Sequence, residues 1–289
     1  MGTYIVRTGG NSMYKILSKR AYAANEFDIW IEAPRIARNI RPGQFCVLRV
    51  TETGERIPLT VDGYDPEGGR IRMTFQTVGK TTTALSRLEP GDCIHDILGP
   101  LGTPSEIKLY GTVLMIGGGV GIAALYPIVK ALKEAGNKVI TVLGGRNKDL
   151  VIMKDECAEY SDELIITTDD GSEGIKGVVT TAMDMLAERG EKIDYCWAIG
   201  PSVMMKFASL KAKELNIPCW VSLNPIMVDG TGMCGCCRVT VNGKIRFACV
   251  DGPEFDGWGV NWNEFMTRLR QYKDAEKISL EQYKNEVGE

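Results

Sequence analysis

No concentration of charge of one sign occurs anywhere in the chain. Its 34 lysines and arginines face 37 aspartates and glutamates, a net of −3. No basic run is long enough to grip a phosphate backbone or an anionic bilayer, so neither nucleic acid nor a membrane surface is an expected partner. A secretory leader is missing too: residues 1–12 hold no apolar core and read as an extension or disordered start, with Met13 a second possible initiator. No repeat or low-complexity tract stands out. Long apolar runs are scarce. The uncharged stretch from Thr112 to Val129 is interrupted by Gly117, Gly118, Gly119, Gly121 and Pro127. It fits a buried strand, a glycine turn and a helix start better than a membrane span. The single histidine, His95, is expected to be structural.

Cysteine is plentiful and unevenly placed. Cys46, Cys93, Cys157, Cys196 and Cys219 are scattered, whereas Cys234, Cys236, Cys237 and Cys249 crowd together. An odd total clustered in this way is a poor disulfide framework and a good metal-site signature, which points to a reducing, cytoplasmic setting. With 289 residues and 44% hydrophobic content, the chain can fill more than one core.

The patterning divides into modules. Residues 13–106 alternate apolar and polar side chains in short runs (Phe27, Ile29, Ile31; Ile71, Met73, Phe75) separated by turn signals, which predicts an antiparallel β-barrel of six or so strands. Residues 107–219 switch to strand–helix alternation, which predicts an α/β parallel-sheet domain. Residues 220–261 form a compact cysteine- and glycine-rich module. In residues 262–289 an apolar stripe (Trp262, Phe265, Met266, Leu269, with Trp258 before it) leads into a charged tail, read as an amphipathic helix. The stripe is either an ordinary face on the chain's own core or a docking face for a partner; the first is favoured.

The turn Gly117-Gly118-Gly119-Val120-Gly121 lies between a predicted strand and helix. Glycines there let a pyrophosphate approach the backbone and the helix start. Gly145 and Arg146 follow the next strand, where an adenosine ribose would lie; Gly200 and Pro201 follow the last, beside a nicotinamide. Asp170 sits after another strand and is either a ligand contact or a plain polar turn. Arg56 to Thr60 and Gly79 to Thr82 offer a cation, hydroxyls and N–H donors in the barrel region.

Asp229, Cys234, Cys237 and Cys249, with glycines at 230, 232 and 235, have the spacing of a [2Fe–2S] site. Structural zinc is the competing metal, and solitary Cys249 weighs against it. Cys236 could replace Cys237 as a ligand, although the spacing from Cys234 favours Cys237.

Pro42-Gly43-Gln44-Phe45, Arg56 to Thr60, Gly99-Pro100-Leu101-Gly102, the glycine turn and Gly200-Pro201 together resemble the ferredoxin–NADP reductase superfamily. That resemblance implies FAD held at Arg56, Pro58, Leu59, Thr60, Phe75, Gln76, Gly79, Lys80, Thr81 and Thr82. It implies NAD(H) held at Gly118, Gly119, Val120, Gly121, Gly145, Arg146, Asp170, Gly200 and Pro201, with no catalytic acid or base. The sequence departs from the usual flavin motif: Ile57 stands three residues before Thr60, and Arg56 one position earlier. The cysteine segment is similar to that of dihydroorotate dehydrogenase B electron-transfer subunits, with Asp229 where their first cysteine would be. Asn224 to Gly230 and Phe247 to Pro253 look more like the small subunits of electron-bifurcating NADH-dependent ferredoxin:NADP⁺ oxidoreductase and sulfide dehydrogenase. This likeness implies a heterodimer with a larger flavoprotein carrying FAD and [4Fe–4S] clusters, through which alone ferredoxin would be reached. It also implies NADH, whereas Arg146 by itself fits a 2′-phosphate or an adenine. A zinc-stabilised nucleotide-binding module is the non-enzyme alternative.

Overall fold

The computed structural model describes residues 13–288. The extension expected over 1–12 lies outside the described residues.

Eight strands build the barrel: β1 (Tyr14–Ala23), β2 (Glu26–Glu32), β3 (Phe45–Arg49), β4 (Arg56–Thr60), β5 (Gly63–Asp65), β6 (Arg70–Gln76), β7 (Cys93–Ile94) and β8 (Asp96–Leu101). A short helix, α1 (Pro34–Ala37), follows β2, and α2 (Lys80–Ser86) follows β6. The strands form antiparallel sheets in the orders β5-β6-β2-β1-β7 and β4-β3-β8. Period-two alternation sends Ile29, Ile31, Ile71, Met73 and Phe75 into one core with Ile16 and Leu48. The strands beyond the expected six include β5 and β7, three and two residues long, too short to show alternation.

The α/β region alternates strands and helices as expected: β9 (Thr112–Gly118), α3 (Gly121–Glu134), β10 (Lys138–Gly145), α4 (Lys154–Glu159), β11 (Glu163–Thr168), β12 (Ile175–Lys176), α5 (Val179–Glu188), β13 (Tyr195–Ile199), α6 (Ser202–Glu214) and β14 (Cys219–Ser222), of which α4, β12 and β14 are additional elements. Helices cover both faces of a sheet ordered β12-β11-β10-β9-β13-β14 and then one strand more. Central β9 is accordingly buried along almost its whole length.

That extra strand comes from the cysteine-rich segment. After a hairpin of β15 (Arg238–Val241) and β16 (Lys244–Phe247), β17 (Glu254–Asp256) pairs antiparallel with β14 through Trp220↔Asp256, Val221↔Phe255 and Ser222↔Glu254. The division expected between residues 219 and 220 therefore falls inside β14, and the segment caps a sheet edge that would otherwise be open. The tail is two helices, α7 (Trp262–Arg268) and α8 (Lys273–Val287). Trp262 and Phe265 are buried, and Trp258 and Leu269 pack on the same core, so the stripe is a face on the chain's own interior. Helix α8 buries nothing fully and returns to α2, where Arg87 lies over the Tyr283 ring at 5.8 Å. Among the described residues no helix is long and apolar enough to cross a membrane.

Candidate functional site

The nucleotide candidates gather at the carboxyl ends of β9, β10, β11 and β13. Strand order reverses here: β10 flanks β9 on one side and β13 on the other, which opens the crevice where such sheets take ligands. Gly119 has φ +51°, and its N–H donates to Gly144 O at 3.1 Å. A Cβ on Gly119 would meet nothing within 4 Å, so open space lies over the turn. Gly121 has no such room: a Cβ there would sit 2.5 Å from Gly200 Cα. The two glycine motifs are thus packed backbone to backbone. A Cβ on Gly118 would strike the Met204 sulfur, which lies beside Pro201. Gly145 ends β10. Exposed Arg146 and Asp170 are neighbours, the Asp170 N–H donating to Arg146 O at 3.2 Å. The hydroxyl and N–H of Ser172 hold the Asp170 carboxyl below its ordinary range.

In the barrel, Arg56 opens β4 directly opposite Arg49 of β3. Both guanidinium groups reach Asp96, at 3.7 and 3.9 Å. Arg49 Nε is buried without a hydrogen-bond partner. Arg49 was missed from sequence; only the hairpin register, which pairs it with Arg56, could have found it. Glu55, just before β4, accepts from Thr81 Oγ1 at 2.6 Å, which ties the arginine end of β4 to the start of α2. Thr82 Oγ1 accepts from the N–H groups of Val78 and Gly79, at 3.0 and 3.1 Å. Lys80 is exposed, whereas Pro58, Leu59 and Thr60 are half-buried. Phe75 belongs to the barrel core and pairs with Phe27 of β2, so its ring is not offered to a ligand. The Gln76 amide donates to Glu26 at 3.4 Å.

The cysteine loop is built on left-handed glycines: φ is +77° at Gly230, +85° at Gly232 and +64° at Gly235. It rests on the barrel, because a Cβ at Gly230 would come within 2.7 Å of Leu101 and 3.2 Å of Val47. Cys237 and Cys249 are buried with sulfurs 3.2 Å apart. The Cys249 N–H donates to Cys237 Sγ at 3.5 Å, and this bond with the thiol–thiol contact lowers the Cys237 thiol below its ordinary range. Donating in that pair pushes Cys249 up. Asp229 Oδ1 accepts from Thr231 N at 2.6 Å and from its hydroxyl, and Oδ2 accepts from Cys234 N at 2.8 Å. Burial opposes the Asp229 charge, but these bonds and one from the Cys234 thiol outweigh it and hold the carboxyl well below its usual range. Cys234 is exposed at the loop tip. Burial pushes the Cys236 thiol up, and Arg268 Nη2 donates to the Cys236 carbonyl at 3.0 Å. Among the described residues no three His, Cys, Asp or Glu side chains surround one ion position. The donor set is instead a close thiol pair beside a linked Asp229–Cys234 unit. Charged or chargeable sulfur, a carboxylate and free loop N–H groups fit a [2Fe–2S] cluster, which spreads its ligands over two irons.

Residues 224–261 match the iron–sulfur cluster binding domain of dihydroorotate dehydrogenase B. Residues 115–210 match the oxidoreductase NAD-binding domain. A Thermotoga maritima protein described as a homolog of the dihydroorotate dehydrogenase B (NAD⁺) electron transfer subunit is 59% identical over 97% of this chain and 99% of its own. The electron transfer subunit of that enzyme from Desulforamulus reducens is 34% identical over 86% of this chain and 97% of its own. A solved structure of an NADH-dependent reduced ferredoxin-NADP oxidoreductase, studied for flavin-based electron bifurcation, superimposes with TM-score 0.89 at 59% identity, covering 96% of this chain and 99% of that one. A ferredoxin NADP⁺ reductase from Neisseria gonorrhoeae shares the fold alone, with TM-score 0.59 at 16% identity over 70% of this chain and 90% of that one. The chain belongs to the family of dihydroorotate dehydrogenase B electron-transfer subunits and their homologues.

Proposed function

We propose that this chain is the electron-transfer subunit of a cytoplasmic NADH-dependent ferredoxin:NADP⁺ oxidoreductase. FAD would take a hydride from NADH and give up electrons singly, and a [2Fe–2S] cluster would carry them onward. The chain's own residues bind and orient. Arg56, with Arg49, and the donors at Gly79 to Thr82 hold the flavin diphosphate, while half-buried Pro58, Leu59 and Thr60 line the ring. The open turn at Gly119 takes the nucleotide pyrophosphate, and Gly200 and Pro201 bound the nicotinamide. Asp229, Cys234, Cys237 and Cys249 hold the cluster, with Cys236 a bystander. One observation carries the reading: Gly230 of the cysteine loop lies directly on Leu101 and Val47, so the loop proposed to hold the cluster packs against the barrel proposed to hold the flavin, within one chain.

The partner is a larger flavoprotein with its own FAD and [4Fe–4S] clusters. This chain has no second cysteine run to hold such a relay toward ferredoxin. The α7 stripe is spent on the chain's own core, so the docking surface is sought at the cluster instead. Met233, 89% exposed, stands beside exposed Cys234, and half-exposed Val250 lies against Gly232 of the same loop. The alternative, a dihydroorotate dehydrogenase subunit, differs in partner and not in the chemistry of this chain.

The isolated chain should oxidise NADH with an artificial acceptor and should not reduce ferredoxin. Ferredoxin reduction by the chain alone would sink the proposal. Gly121→Val drives a side chain into Gly200 and should weaken NADH binding at least about tenfold while FAD stays bound. Unchanged NADH affinity would remove the glycine turn from the site.

A further inference from the structure

Glu254 is an inward-facing carboxylate that none of the three sites uses. It belongs to β17, the strand that the cysteine segment lends to the nucleotide sheet. Its Oε1 accepts from Ser105 Oγ at 2.6 Å, in the segment that joins barrel to sheet. Its Oε2 accepts from Trp197 Nε1 of β13 at 3.3 Å. The barrel closes on the same point: a Cβ at Gly43 would lie 3.2 Å from Glu254 Oε1 and clash with Ser105 Oγ, while Ser105 N donates to Pro42 O at 2.9 Å. Barrel turn, linker, nucleotide sheet and cysteine segment therefore meet at one carboxylate.

The same seam runs on toward the cluster ligands. Thr103 N donates to Gly252 O at 2.6 Å, and Thr103 Oγ1 donates to Val250 O at 3.1 Å. Leu223 N donates to Pro253 O at 2.9 Å. Val250 to Pro253 is the stretch between Cys249 and Glu254. A shift at Glu254 thus passes through four residues to a candidate cluster ligand.

Among the described residues no cation pairs with this carboxylate. Its hydrogen-bond partners are a hydroxyl and an indole N–H, and the titratable side chain that senses it is Tyr110, whose ring lies 5.2 Å from that of Trp197. Burial raises the Glu254 carboxyl above its usual range against those two bonds. The side chain is half-buried, and both of its oxygens are engaged by donors from different modules.

We propose that Glu254 is the positioning residue that holds the Cys249 segment in register with the FAD barrel and the nucleotide sheet at once. The inference rests on the function above for the identity of the groups being spaced. Glutamate suits the task because both oxygens accept while both neighbours donate. Glutamine keeps an acceptor for Trp197 Nε1 only by turning its amide N–H toward Ser105 Oγ, which must then reverse from donor to acceptor, and both bonds lose the strength the carboxylate charge lends them.

The test uses the full chain with FAD and cluster bound, comparing wild type with Glu254→Gln and Ser105→Ala. After anaerobic mixing with NADH, flavin bleaching and cluster reduction are followed separately. In Glu254→Gln, with iron and FAD retained, flavin bleaching should stay within about twofold of wild type. Cluster reduction should slow about tenfold or more, because small misplacements are costly to an aligned pair of centres. Ser105→Ala should slow it about threefold, since one of the two bonds survives. Hydrogen exchange of the metal-free chain gives a second readout: amides of residues 247–256 should exchange about tenfold faster in Glu254→Gln, with α3 amides unchanged. Wild-type exchange and wild-type cluster reduction in both variants would overturn the proposal. So would equal slowing of flavin and cluster, which would indicate a general loosening. If Glu254→Gln does not fold, Ser105→Ala decides by the same criteria. A wild-type chain that binds neither flavin nor iron would sink the proposed function, and the exchange measurement would still judge Glu254.

Discussion

Cys196 and Cys219 face each other across β13 and β14 with sulfurs 3.7 Å apart, and Cys237 and Cys249 meet at 3.2 Å beneath the glycine loop. All four are buried. The first pair sits in register on paired parallel strands, where backbone N–H groups are spent on the sheet; Cys196 N, for example, donates to Pro218 O at 2.9 Å. Its hydrogen bond with Cys219 and its burial push the Cys196 thiol well up, so it stays neutral and behaves as a small apolar side chain. The second pair sits where left-handed glycines turn the chain and leave N–H groups unspent. There the contact with the Cys249 thiol and the Cys249 N–H lower the Cys237 thiol below its ordinary range. Burial alone therefore does not set the state of a thiol. What the surrounding backbone does with its donors decides it.

That contrast breaks most easily at the sulfurs. Cys237→Ser or Cys249→Ser should cut iron content by about tenfold or more, since a thiolate ligand is lost outright. Cys196→Ser should leave iron unchanged, and comparable iron loss in that variant would erase the distinction.

The loop should matter next. Gly232 has φ +85°, and a Cβ there would stand 2.8 Å from Val250. Gly232→Val should cost about 1–3 kcal/mol of loop strain and lower iron several-fold while FAD and NADH still bind. Full iron content would show that donors, and not loop shape, carry the site.

Asp229 sharpens the comparison further, because it puts oxygen where the first pair has only sulfur. Asp229→Cys should keep the cluster but shift its EPR signal and potential, as a softer ligand replaces a harder one. Asp229→Ala should lower iron content. Iron, spectrum and potential all unchanged in Asp229→Ala would mean that the carboxylate only braces the loop through Thr231 and Cys234. The smallest effect belongs to the first pair. Cys196→Ser should cost about 1–2 kcal/mol of stability by placing a hydroxyl in an apolar setting, read as a lower midpoint in thermal unfolding.

What was legible in the sequence follows the range of the interactions. Strand–helix alternation and the Gly117 to Gly121 turn are local signals, and β9, α3, β10 and β13 stand within two or three residues of where periodicity put them. Cysteine spacing is local too, and it drew attention to a loop in which Cys237 meets Cys249 and Asp229 is tied to Cys234. Non-local features escaped. The pairing of β17 with β14 joins residues more than thirty positions apart and makes part of the cysteine-rich module the last strand of the sheet. Arg49 has no motif of its own and stands out only through its register with Arg56. Glu254 looked like any charged residue until Ser105 and Trp197 were seen to enclose it. The α7 stripe had the right period for a helix face, but period does not say which surface covers it.

Anaerobic titration of the isolated chain with NADH tests the central claim most directly. The resting protein should show flavin and two-iron absorption bands. Both should bleach, with about one and a half equivalents of NADH consumed per chain: two electrons for the flavin and one for the cluster. A colourless protein with one zinc per chain, or flavin bleaching while the iron–sulfur bands stay untouched, would contradict it.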